Sequence, residues 1–141
     1  MSILSHRDRE AVKREFEKLV DPVKVTVFSQ AVGSETSQQT EQLIKEVVEL
    51  TDKVTVEVLN LVLDREKAEA YGVDRVPALV VEGTKDYGLR FFGLPAGYEF
   101  TNLIDAIVVA STGKPALSQE TQAVLAGLTS PVHIKVFTTP T

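Results

Sequence analysis

Three short runs of apolar, mostly β-branched residues constrain the fold of this chain more than any other feature. They lie at residues 23–28, 54–61 and 78–82, and each is typical of a buried strand. An amphipathic segment at 38–50 separates the first two runs and predicts a helix. Strand, helix and strand in this order predict a βαβ unit with a right-handed crossover and parallel strands.

The remaining segments add helices and a hairpin to this unit. Further helices are predicted at 5–20, 64–71 and 98–112, and an antiparallel hairpin at 78–92. The expected fold class is therefore α/β, with a mixed four-stranded sheet flanked by helices and an extra N-terminal helix.

The C-terminal part departs from this plan. A helix capped by Ser118 is predicted at 118–126, and the apolar segment 132–137 predicts a strand, so the fold carries a helix–strand extension. A lone strand after a completed unit needs a partner. We expect this segment to pair with a sheet edge of its own chain or of a second copy, which allows a homo-oligomer through 132–137.

Composition excludes several classes of function. The chain has no cysteine, so it cannot hold a disulfide framework, a thiolate nucleophile or an iron–sulfur cluster. Its formal net charge of −5 argues against nucleic-acid binding, and its two histidines argue against a His-rich metal site. No apolar run reaches the roughly 20 residues of a membrane helix. We expect no metal, no cofactor, no nucleic acid or membrane as partner, and a cytoplasmic location.

Three segments carry a family resemblance: 25–30 (VTVFSQ), 73–78 (VDRVPA) and, most specifically, 87–100 (YGLRFFGLPAGYEF). With these segments the chain resembles the two-unit protein disulfide oxidoreductases, also called glutaredoxin-like proteins, over nearly all of residues 3–141. That family consists of two tandem thioredoxin folds. The resemblance therefore implies a thioredoxin-like fold for this chain.

The resemblance also implies a division of the chain. Residues 1–115 correspond to the family's first thioredoxin-like unit, 116–131 to a connector helix, and 132–141 to the opening strand of a second unit. The implied partner is that second unit or another protein.

The family's reactive dithiol, a Cys-x-x-Cys motif, lies at the N-terminus of the helix after the first strand, where the helix dipole stabilises a thiolate. By resemblance the matching segment is Ser34-Glu35-Thr36-Ser37, which keeps the spacing but replaces both sulfurs by hydroxyls. A hydroxyl cannot form a disulfide, so we expect no catalytic residue and no dithiol activity in this chain by itself. Ser34 or Ser37 is expected to cap the second helix.

Val76 and Pro77 match the position of the cis-proline that faces the dithiol in this family. The resemblance implies that Val76 offers main-chain groups to a bound extended peptide, a form of strand addition. The alternative is that Pro77 only begins the third strand in the required geometry and that no ligand binds. The residues leave both interpretations open.

The last residues of the sequence add an alternative function. In the family the second dithiol follows a segment like 137–141, where this sequence stops. Three explanations account for this end of the sequence: a deliberate truncation, a true stop codon, or a UGA codon read as selenocysteine. We expect a redox-inactive scaffold or docking half. The alternatives are a truncated thiol–disulfide oxidoreductase of cell redox homeostasis, whose Cys or selenocysteine motif starts just after Thr141, and a stand-alone binding protein.

Overall fold

The structure is a computed structural model, and it describes residues 1–30 and 32–139. Helices and strands alternate along most of this length. The elements are α1 (His6–Phe16), β1 (Val23–Ser29), α2 (Glu35–Val48), β2 (Val54–Asn60), α3 (Arg65–Tyr71), β3 (Ala78–Glu82), β4 (Leu89–Phe92), α4 (Tyr98–Thr112) and α5 (Gln119–Ala126).

The four strands form one mixed sheet in the order β2-β1-β3-β4. β1 and β2 are parallel, with Val23 opposite Val54 and Ser29 opposite Asn60. β3 runs antiparallel to both β1 and β4. The predicted βαβ unit, the hairpin and the α/β fold class are confirmed.

Each face of the sheet is covered by a different set of helices. The main core joins alternate β1 residues to apolar side chains of α1, α2 and α4, such as Phe16, Ile44 and Ile107. A smaller core on the other face packs Ala68 of α3 against Phe28 and other apolar side chains. Each fully buried large apolar side chain stabilises the fold by about 1.5–3 kcal/mol. The sheet is therefore held as a rigid support for the loops at its ends.

The bounds of two helices differ most from the sequence prediction. α1 ends at Phe16 rather than at residue 20, because α4 holds the linker that follows. The hydroxyl of Ser111 accepts a hydrogen bond from Val20 N at 2.8 Å and donates one to Asp21 O at 2.7 Å. α2 begins at Glu35, three residues before the predicted start, because Ser34 caps it.

The C-terminal extension is only partly as predicted. α5 forms with Ser118 as its cap, but it buries none of its residues. The prediction of a strand at 132–137 is wrong for the chain by itself, since described residues 131–139 belong to no helix or strand. A strand needs a neighbouring strand for its N–H and C=O groups, and neither sheet edge pairs with this segment. Residues 140 and 141 of the predicted segment lie outside the described residues.

Candidate functional site

The topology brings the predicted site residues to one end of the sheet. β1 ends where β3 begins, because Phe28 lies opposite Ala78 in their antiparallel ladder. The loop after β1 leads to the start of α2 at Ser34, and Pro77 immediately precedes β3. Because β2 is parallel to β1, the loop between β2 and α3 also lies at this end.

The two predicted dithiol positions meet within the first turn of α2. Ser34 is the N-cap, as predicted, and its Oγ accepts a hydrogen bond from Ser37 N at 3.2 Å. The same hydroxyl donates to Ser37 Oγ at 2.8 Å. Ser37 is fully buried and Ser34 is half-buried. Within residues 1–30 and 32–139 no histidine or carboxylate is hydrogen-bonded to either hydroxyl, which is the contact that a base would need to activate a serine.

A carboxylate that sequence reasoning missed lies one turn further along α2. The buried hydroxyl of Ser29, at the end of β1, donates a hydrogen bond to Glu41. Lys45 Nζ lies 3.6 Å from the other oxygen of that carboxylate. The spacing of four residues from Ser37 to Glu41 is the signal that could have placed this side chain near the site. The contact ties the start of α2 to the end of the central strand.

The segment before β3 presents an unpaired stretch of backbone. The peptide bond between Val76 and Pro77 is cis. Pro77 is buried, and its C=O accepts a hydrogen bond from Gly93 N at 2.9 Å. Val76 is half-buried, and in the described part of the chain its N–H and C=O have no hydrogen-bond partner. These two groups are available to a strand from outside.

Exposed apolar side chains surround this end of the sheet. They lie before α2, between β2 and α3, at the end of β4 and at the start of α4: Val32, Val62, Leu63, Phe92 and Tyr98. The loop that carries two of them is held by the amide oxygen of Asn60, which accepts hydrogen bonds from Val62 N and Leu63 N. Exposed apolar side chains at the same end of the sheet as unpaired backbone can form a surface that holds a polypeptide.

A polar cluster on the α3 face serves a structural purpose. Lys24 Nζ lies 3.4 Å from Tyr71 OH and 3.6 Å from Glu57 Oε2. The nearby Glu82 carboxylate and burial raise the pKa of the Tyr71 hydroxyl. The contacts join the end of α3 to the sheet.

Neither a metal centre nor a membrane span is present in the described ranges. They contain no group of three or more His, Asp or Glu side chains arranged to hold a metal ion. Their helices include none with the length and apolar character needed to cross a membrane.

Two curated proteins are similar to this chain in sequence. One of the subunits of alkyl hydroperoxide reductase from Staphylococcus epidermidis is 26% identical over 128 residues, which are 89% of this chain and 23% of that protein. A probable thioredoxin of Methanothermobacter marburgensis is 33% identical over 82 residues, covering 58% of this chain and 92% of that protein.

Two solved structures share the fold. One is the NTD_N/C domain of alkylhydroperoxide reductase AhpF from Enterococcus faecalis, with a TM-score of 0.78, 24% identity, and coverage of 85% of this chain and 58% of that one. The other is a protein disulfide oxidoreductase from Aeropyrum pernix, with a TM-score of 0.76, 27% identity, and coverage of 90% and 57%. This chain thus spans less than two thirds of each of these two solved relatives.

Residues 23–105, which run from β1 into α4, match the family of thioredoxin domains. That match covers more than half of the chain and includes the whole sheet, the first turn of α2 and the backbone around Pro77. The chain therefore belongs to the thioredoxin domain family.

Proposed function

We propose that this chain is a redox-inactive thioredoxin-like unit that binds extended polypeptide and serves as the docking half for a second thioredoxin-like unit. The observation that carries the proposal is the pair of hydrogen-bonded hydroxyls, Ser34 and Ser37, at the start of α2. An alcohol does not ionise near neutral pH as a thiol does, and it forms no disulfide, so this site cannot transfer electrons by disulfide exchange. The site can still bind a polypeptide.

The peptide-binding part of the proposal rests on Val76. Its N–H and C=O have no partner in the described chain, and exposed apolar side chains such as Phe92 and Tyr98 lie at the same end of the sheet. An extended segment that pairs with Val76 would gain main-chain hydrogen bonds and apolar contacts together. Because no sulfur is present, such a complex would be non-covalent and reversible.

A sequence repeat supports the second unit. Residues 22–29 read PVKVTVFS and include β1, and residues 131–138 read PVHIKVFT. Pro, Val, Val and Phe recur at matching positions, and Ile134 and Thr138 replace Val25 and Ser29 conservatively. Each segment follows a serine-capped helix, α1 in one case and α5 in the other. A repeat of this kind supports the division into one unit at 1–115, a connector at 116–131 and the opening strand of another unit at 132–141.

The exposed side chains of the repeat also support this division. Val132, Ile134, Val136 and Phe137 are all exposed, whereas their counterparts Val23, Val25, Val27 and Phe28 are buried. Side chains of this kind are normally covered in a folded assembly. In this chain β1 is covered by a parallel strand, an antiparallel strand and helices on both faces. In a second unit, the same kinds of element would cover the exposed side chains of 132–137.

Two measurements test the redox and peptide-binding parts. In an insulin-reduction assay with dithiothreitol, we expect turnover at the level of the buffer alone, and turnover above that level would contradict the proposal. In a heteronuclear NMR titration with an unlabelled extended peptide, we expect the Val76 amide to shift. A titration that moves no resonance near Val76 would contradict the peptide-binding part.

A deletion tests the proposed division of the chain. Because α5 buries no residue and 132–137 pairs with no strand, removal of residues 118–141 should leave the thermal unfolding midpoint unchanged. A fall of several degrees would show that the extension packs on the first unit. Light scattering of the full chain over a range of concentrations tests the homo-oligomer, because pairing of 132–137 between copies would raise the mass with concentration.

The alternative function is that of a thiol–disulfide oxidoreductase of which this chain is one part. It is favoured by the names of the longer relatives, an alkyl hydroperoxide reductase and a protein disulfide oxidoreductase. The gene sequence downstream of the Thr141 codon tests it. A continuation in frame that encodes a Cys or selenocysteine motif on a second thioredoxin-like unit supports this alternative, and a UAA codon directly after Thr141 contradicts it.

A further inference from the structure

We propose that the polypeptide bound beside Val76 carries an acidic side chain, and that Arg75 is the specificity-determining residue that recognises it. This inference rests on the proposed function, because it requires an extended segment at that position. It specifies which polypeptides bind: segments with Asp or Glu next to the residue that pairs with Val76.

The position of Arg75 is set by an aromatic contact. Its guanidinium carbon lies 5.5 Å from the centroid of the Phe92 ring, an arrangement typical of a cation–π contact. Phe92 ends β4 and lies opposite Ala78, two residues after Val76. The guanidinium group is therefore held at the β4 side of the unpaired backbone, next to the place where a bound strand would lie.

One edge of the guanidinium group is available. Its Nε and Nη2 donate to the carboxylate of Asp74 at 2.8 Å and 3.2 Å. Nη1 has no hydrogen-bond partner within residues 1–30 and 32–139. Planar guanidinium groups bind carboxylates through paired N–H donors, and such charge-assisted bonds are stronger than neutral ones. An incoming carboxylate can use the open edge or displace Asp74, whose side chain is 68% exposed.

The geometry of strand addition explains why a side chain would reach this edge. Successive side chains of a strand point to opposite faces of a sheet. A segment paired with Val76 therefore directs every second side chain to the face that carries Phe92 and Arg75. Two other charged groups near this end are engaged: Arg65 donates to Glu69 at 2.7 Å, and Glu35 accepts from Gln39 at 3.3 Å.

The test uses three synthetic six-residue peptides of identical apolar and threonine composition that differ at one position, which is Glu, Gln or Lys. Binding to the full chain is measured by NMR titration, with the Val76 amide as the reporter. We expect the Glu peptide to bind about tenfold more tightly than the Lys peptide, because one charge-assisted contact separates them. Equal affinities would overturn this inference and leave the proposed function intact, whereas no binding by any peptide would contradict the proposed function.

Two matched variants assign the preference to Arg75. Arg75→Gln should remove the preference for the Glu peptide over the Gln and Lys peptides. Arg65→Gln changes an equally exposed arginine, with a side-chain exposure of 79% against 70%, and should preserve the preference. A preference that survives Arg75→Gln, or that Arg65→Gln abolishes, would overturn the assignment.

A third variant examines the competing carboxylate. Asp74→Asn removes the charge that Arg75 now pairs with, so the Glu peptide should bind several-fold more tightly than it does to the unmodified chain. Weaker binding of the Glu peptide to this variant would show that Asp74 is needed to position the guanidinium group and would overturn the proposed competition.

Discussion

The hydroxyl of Ser34 donates a hydrogen bond to the hydroxyl of Ser37 at 2.8 Å, and the N–H of Ser37 donates back to Ser34. The pair occupies the first turn of α2, at the positions where the resemblance places a dithiol. The backbone thus keeps a geometry in which two side chains three residues apart touch. A dithiol at these two positions would carry sulfur where this chain carries oxygen.

Replacing both oxygens should therefore restore redox chemistry. We expect the double variant Ser34→Cys/Ser37→Cys to form a reversible disulfide and to catalyse insulin reduction. The start of α2 lowers the pKa of a cysteine, which raises the thiolate fraction at pH 7 about tenfold over a free thiol. The rate of insulin reduction with dithiothreitol measures this gain.

The single variants are the matched controls for that experiment. Ser34→Cys and Ser37→Cys each place one sulfur at the site and should not form the intramolecular disulfide. A double variant that is no more active than either single variant would mean that the start of α2 does not support dithiol chemistry.

The cap of α2 should contribute measurably to stability. Ser34→Ala removes the acceptor for Ser37 N and leaves the buried hydroxyl of Ser37 without its donor, so we expect a loss of about 1–2 kcal/mol in the free energy of unfolding. Chemical denaturation measures it. Ser118→Ala removes the equivalent cap from α5, which buries nothing, and should leave the main unfolding transition unchanged. Equal losses in both variants would contradict this prediction.

Glu46 anchors the N-terminal segment to α2. Its carboxylate is buried and accepts five hydrogen bonds, from Ser2 Oγ, Ile3 N, Leu4 N, Arg9 Nη2 and Gln42 Nε2. Burial alone would raise the pKa of Glu46, but hydrogen bonds from Gln42 and from the main chain of Leu4 outweigh it and lower the pKa to about 2. The ionised form is thus strongly preferred in the folded chain.

This preference predicts a specific pH dependence. The folded pKa lies below the unfolded value of 4.5, so the stabilisation is present above pH 4.5 and disappears as the pH falls towards 2. We expect it to amount to about 3 kcal/mol at pH 7, with about 2 kcal/mol lost by pH 3. Glu46→Gln should lower the free energy of unfolding at pH 7 and flatten its decrease between pH 5 and 3.

Glu49→Gln is the control for Glu46. Glu49 also faces Arg9, at 3.8 Å, but its side chain is 67% exposed, so its charge should contribute little. Urea denaturation at pH 7 and pH 3 compares the two variants. A pH profile of Glu46→Gln that parallels that of the unmodified chain would refute the role given to this carboxylate.

The turn between β3 and β4 passes unusually close to α4. A Cβ added at Gly83 would lie 1.9 Å from the carbonyl oxygen of Ala110, so the turn or the helix would have to move. Gly83→Ala should cost about 3 kcal/mol in the free energy of unfolding. At Gly127 the nearest atom, Val124 O, would be 3.4 Å away, and Gly127→Ala should change stability by less than about 0.5 kcal/mol. Thermal unfolding of both variants checks the difference, and similar midpoints would contradict it.

Local patterns were sufficient for most of the fold. Runs such as 54–61 predict strands because β-branched side chains suit a pleated sheet, and the order of strands and helices predicts the parallel pairing of β1 with β2. Ser34 or Ser37 was a candidate cap because capping depends on neighbouring residues, and the structure shows that Ser34 is the cap. The same local patterns predicted too late an end for α1. The reason is that a distant hydroxyl, that of Ser111, holds the linker after the helix.

By itself the sequence determined the four strands of the sheet, most of the helix positions and the absence of sulfur at the start of α2, because these depend on residues close together in the chain. Only the tertiary structure decided that the backbone of Val76 has no partner in the described chain, that Arg75 lies over Phe92 and that Glu41 reaches Ser29. It also decided that 132–137 forms no strand in this chain. These outcomes depend on which distant segments come into contact, and a strand exists only where a second strand meets its hydrogen-bonding groups.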